Sequence, residues 1–121
     1  MKKESLPLEV EKKINIKEAP LILTSHVMER FKERWKPLDR FDLTPENQEE
    51  WRQKLELLIR NSEEVILGEV TRVRRLIENN YEDARYFYNK THDLRFVAIV
   101  KNGSIVVKTV ETPRKKKGRL L

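Results

Sequence analysis

Leu94-Arg95-Phe96-Val97-Ala98-Ile99-Val100-Lys101-Asn102-Gly103-Ser104-Ile105-Val106-Val107-Lys108-Thr109-Val110-Glu111 is the stretch that decides the fold. Asn102-Gly103 supplies the two positive φ angles of a type I′ turn, and β-branched residues alternate on both sides of it. The turn predicts antiparallel strands over 94–101 and 104–111, with Val100 opposite Ile105, Ala98 opposite Val107 and Phe96 opposite Thr109. One face is then almost wholly apolar. The reverse face carries Arg95, Val97 and Ile99 opposite Val110, Lys108 and Val106, so cations stand among aliphatic groups there.

Working upstream, Arg85 to Asn89 alternates again, and a loop over Lys90 to Asp93 sets Phe87 beside Phe96 in the core. Tyr86 and Tyr88 then join Arg95 and Lys108 on the other face, a register that a slip of one residue would invert. The stretch from Asn61 to Asn80 reads two ways. Ile66, Val70, Val73 and Ile77 fit a helical seam over 62–78, with Asn61 and Glu64 as a capping box and a break at Gly68; a strand over 65–77 stays open.

Two helices precede this. Thr24 or Ser25 offers a cap for a helix over 25–36 that buries Val27, Met28, Phe31 and Trp35 and stops before Pro37. Thr44-Pro45-Glu46 has the order that opens a second helix over 45–60, burying Trp51, Leu55, Leu58 and Ile59. Ile14 and Ile16 suggest a short extended piece. The pattern predicts an α+β domain over 1–113, with N-terminal helices packed on a C-terminal three- to four-stranded antiparallel meander, followed by a basic tail over 114–121.

Composition removes several function classes. The 121 residues include no cysteine and two histidines, so a disulfide framework or structural zinc site has no ligand set. Gly68, Gly103 and Gly118 are too scattered for a phosphate-cradling loop or a dinucleotide fingerprint, and no cofactor is expected. No apolar run approaches the roughly 18 residues of a membrane span, and no export signal follows Met1-Lys2-Lys3, so a cytoplasmic protein that does not enter the membrane is expected. The net charge of +6 is uneven: residues 1–41 sum to +3, 42–69 to −5 and 70–121 to +8. Arg114, Lys115, Lys116, Lys117 and Arg119 form an arm suited to RNA or DNA phosphates.

His26, Arg30 and Arg34 are the pattern with chemical content. Spaced by four, they drift only about 80° around a helix axis, a single polar stripe bordering the buried face. At such a rim a histidine can be tuned and guanidinium groups aimed. His92, at a loop tip beside Asp93, is expected to be an exposed turn residue.

The segment Thr24-Ser25-His26-Val27-Met28-Glu29-Arg30-Phe31-Lys32-Glu33-Arg34, with Leu94 to Val100 and Ile105 to Val110, resembles a family of small bacterial and phage proteins related to RelE-type toxin nucleases and the barnase, EndoU, colicin and RelE fold group. The likeness runs over residues 22–111 in element order. It implies RNA as the substrate class and makes an antitoxin protein a candidate partner. Metal-free RNA cleavage needs a base, an acid and cations for the developing charge on phosphorus. His26 is the candidate acid or base, with Arg30, Arg34 and Lys108 as phosphate clamps. Tyr86, Tyr88, Arg95, Arg114, Lys115, Lys116 and Lys117 are candidate nucleic-acid contacts. A binder of nucleic acid without catalysis, or a protein-binding subunit using the acidic 42–69 block, fits the same residues.

Overall fold

The computed structural model describes residues 14–78 and 84–113. Its elements run β1 (Leu21–Leu23), α1 (Ser25–Arg34), α2 (Gln48–Arg60), β2 (Glu63–Val65), α3 (Glu69–Glu78), β3 (Arg85–Asn89), β4 (Leu94–Lys101) and β5 (Ser104–Glu111). The class is α+β, as the pattern predicts. The sheet, however, is mixed and five-stranded, in the order β1-β5-β4-β3-β2, because β1 pairs parallel to β5 and β2 adds antiparallel to β3. The expected meander is its central part.

Asn102 (φ 52°) and Gly103 (φ 80°) make the tight turn, and Val100 faces Ile105 and Ala98 faces Val107. Beyond that point the register departs from strict alternation. Val97 faces Thr109 and Phe96 faces Val110, so β5 holds one extra residue, Lys108, in a bulge. The bulge has a clear cause: unbroken alternation would send Thr109 into the core and Val110 outward, whereas the shift buries Val110 and turns Lys108 out. Phe87 faces Phe96 as predicted, and the β3–β4 loop closes with Asp93 at φ 56°.

α1 and α2 cover one face of the sheet. Thr24 caps α1 by accepting the Val27 amide on Oγ1 at 3.1 Å, and the Trp35 amide closes its last turn on the Phe31 carbonyl. Val27 and Phe31 reach the strand face carrying Phe96, Ala98, Ile105 and Val107, all fully buried. The ring of Trp51 on α2 meets Phe31 and Trp35 edge-on, with centroids at 5.6 and 5.9 Å. α2 begins at Gln48, capped by Asn47, not at Pro45: the Asn47 amide oxygen accepts the Glu50 amide while Glu50 Oε1 takes the Glu46 amide.

Two other expectations change. Residues 16–18 form a turn whose chain reversal is held by Asn15, so the extended piece expected there is absent and the strand is the following Leu21–Leu23. The ambiguous 61–80 region is both structures, β2 and then α3, divided around Gly68; Asn61 caps the end of α2 instead of opening a helix. α3 lies over the other face of the sheet and buries none of its residues. Among the described residues no helix is long and apolar enough to cross a membrane.

Candidate nucleic-acid interface

β1 pairs with β5 only over Ile105–Val107, so the outer edge of β5 beyond Lys108 lies beside α1 instead of another strand. Thr24 Oγ1 donates to the Val107 carbonyl at 3.1 Å, and Arg34 Nε donates to the Val110 carbonyl at 3.1 Å. These two bonds hold the helix along the strand edge. Between them opens a groove of about 580 Å3, walled by His26, Arg30 and Arg34 on one side and by Arg95, Thr109 and Thr112 on the other. The predicted helical stripe therefore faces one groove.

Arg30 is paired with Glu33 at 2.9 Å, an exposed i, i+3 contact worth at most about 1 kcal/mol, so its guanidinium can be redirected to an anion at small cost. Arg34 spends Nε on the strand and keeps both terminal amino groups without a hydrogen-bond partner among the described residues. His26 is exposed and its ring likewise makes no hydrogen bond among the described residues. The cap of α1 is Thr24, so His26 is not needed there.

Lys108 does not join this group. It projects into a second groove, of about 810 Å3, on the far side of the sheet beneath α3. Tyr86 is 4% exposed, its ring covered by the guanidinium groups of Arg75 and Arg95 at 5.4 and 6.0 Å, and so offers no free face on which a base could stack. Tyr88 Oη donates to Asp93 Oδ1 at 2.6 Å and lines neither groove. Arg114, Lys115, Lys116 and Lys117 lie outside the described residues.

Glu111 joins the two grooves. It accepts both terminal amino groups of Arg75 at 3.1 Å and Arg95 Nε at 3.0 Å. Burial raises its pKa, but the two guanidinium groups outweigh that and hold the carboxyl below its ordinary value. The Arg75 partner on β5 sits 36 residues away in the chain.

A further cluster escaped the sequence. Asp42, in the loop between α1 and α2, takes Lys54 Nζ at 2.6 Å, His92 Nε2 at 3.0 Å and the Leu38 amide at 3.0 Å. Burial opposes the charge on Asp42, yet Lys54, Leu38 and His92 together lower its pKa to about 2. An ionised carboxylate only accepts, so His92 Nε2 carries the proton; Nδ1 is buried without a partner among the described residues. His92 is thus a latch between the 35–47 loop and the β3–β4 turn, not the exposed residue expected. No local signal could have found it, since its three members come from separate segments.

Among the described residues no group of His, Asp or Glu could hold a metal ion. No family model matches the chain, and neither a curated protein nor a solved structure does.

Proposed function

We propose that the chain binds RNA along the groove between α1 and the edge of β5 and cleaves it in a metal-independent reaction centred on His26, the chemistry of a small toxin-type RNase. The observation that carries this reading is that His26, Arg30 and Arg34 wall one groove with Arg95 opposite. Arg30 and Arg34 would neutralise a phosphate, bidentate contact being the strong geometry for guanidinium and phosphate. His26 would hold or take the proton of the attacking hydroxyl, as the titratable group of this groove whose ordinary pKa lies nearest neutrality. Lys108, on the far side of the sheet, has no part in that step.

The test is cleavage of total RNA by the purified chain in excess chelator, with His26→Ala beside it. His26→Ala should lower cleavage on the order of 10²–10⁴-fold. Its melting temperature should stay unchanged, because the side chain is exposed and bonded to nothing described. Undiminished cleavage would falsify the role of His26. A second reading, RNA binding without cleavage, is favoured by one observation: no described group orients the His26 ring. It predicts a salt-dependent mobility shift with intact RNA ends.

A further inference from the structure

The rear groove adds to this reading and rests on it. It meets the front groove along a shared seam, Thr109 and Glu111 lining both. Its apolar lining includes Val97, Ile99 and Tyr86, of which Ile99 is the most exposed, while Arg74 and Lys108 stand exposed at its rim. Across the two grooves Arg30, Arg34, Arg74, Arg75, Arg95 and Lys108 give six cations against three carboxylates, Glu33, Glu78 and Glu111. Glu111 is already matched by two guanidinium groups, so the seam between the grooves is no barrier to an anion. A cationic rim over an apolar floor is what a nucleotide requires, and about 810 Å3 is within the range of pockets for such a group.

We propose that the rear groove receives an unpaired base of the nucleic acid whose backbone crosses the front groove, so that the ligand is single-stranded. A duplex keeps its bases stacked inside and presents only phosphate and sugar to such a surface; an apolar floor reads a base only when the base is splayed out. The contact is with the half-buried Ile99, Val97 being largely covered. The Tyr86 ring, already capped by two guanidinium groups, takes no stacking role.

The experiment compares three ligands of equal length on the full chain: a single-stranded RNA oligomer, an abasic ribose-phosphate oligomer and a blunt RNA duplex. Anisotropy gives the affinities, and Ile methyl NMR locates the contact. The single strand should bind on the order of tenfold more tightly than the abasic oligomer. It should shift the Ile99 methyl and leave that of Ile59, buried on α2 under the opposite face of the sheet, in place. Ile99→Ser should lower single-strand affinity toward the abasic value without changing the abasic affinity; should that variant not fold, the ligand comparison and the Ile99 shift decide alone. Equal affinity for all three ligands, falling alike in Arg30→Ala/Arg34→Ala, overturns the base site and leaves the front groove standing. No binding of any ligand overturns both.

Discussion

Helices α1 and α3 are each ten residues long, each amphipathic, and each laid against one face of the same sheet. α1 drives Val27, Met28 and Phe31 into the core and keeps its polar stripe for the groove. α3 does the reverse: Arg74, Arg75 and Glu78 line the rear groove, while Val70, Val73 and Ile77 are half or more exposed. One helix is fixed by apolar burial and the other by an ion pair, Arg75 on Glu111. The difference teaches that amphipathic period alone does not say which face a helix turns inward. Burial of three side chains is worth several kcal/mol, whereas a part-exposed ion pair is worth much less. The front layer should therefore behave as part of the cooperative core, and α3 as a region that opens at small cost.

The largest expected effect is at Phe31. Its ring is fully buried and meets Trp51 edge-on, so Phe31→Ala should cost about 3–5 kcal/mol in urea unfolding. A loss below about 1 kcal/mol would erase the contrast between the helices.

Second in size is the polar anchor of the front layer. Asp42→Asn leaves the loop's shape but removes the charge held by Lys54 and His92, and should cost about 2 kcal/mol at pH 7. The sign with pH follows from the lowered folded pKa. The contribution is full well above the ordinary value of 3.8 and is lost as pH falls toward about 2. Melting temperatures of the parent and of Asp42→Asn should therefore converge over that interval. Parallel curves would show that the carboxylate is not the latch.

Much of the front layer was legible because local and long-range signals agree there. Asn102-Gly103 fixes a register, Thr24 caps a helix, and Val27, Phe31 and Trp35 fall on the face that meets Phe96 and Ala98. The stripe His26-Arg30-Arg34 was legible for the same reason, since a helix edge has a fixed angle to its buried face. The bulge at Lys108 was not, because it answers a conflict between alternation and burial that appears only when both strands are paired. Nor were Arg75–Glu111 and Asp42–His92, at separations of 36 and 50 residues, since no periodicity links such positions. Gly68 marked the end of one element, yet nothing local said that a three-residue strand, Glu63–Val65, would precede it.

Third comes the tether of α3. Arg75→Ala removes both bonds to Glu111, which keeps Arg95, so the global cost should be about 1 kcal/mol. Amide hydrogen exchange should report far more: the α3 amides should lose protection while those of α1 keep theirs. Equal loss in both helices would mean that α3 belongs to the core unit after all.

The smallest effect is expected at Val73. Half of its surface is exposed, and Val and Ser have similar helix propensities, so Val73→Ser should change stability by no more than about 0.5 kcal/mol. The prediction is useful because it is narrow. Val27, the corresponding apolar residue of α1, is fully buried, and Val27→Ser would both open a cavity and bury a hydroxyl. Measured side by side in urea, the two changes differ only in whether the chain covers the side chain. If Val73→Ser costs more than about 1 kcal/mol, something does cover this face in solution. A midpoint for the parent chain that rises with protein concentration would then identify a second copy as the cover. With both midpoints unmoved, the exposed stripe of α3 is simply the outer side of a helix held by its charges.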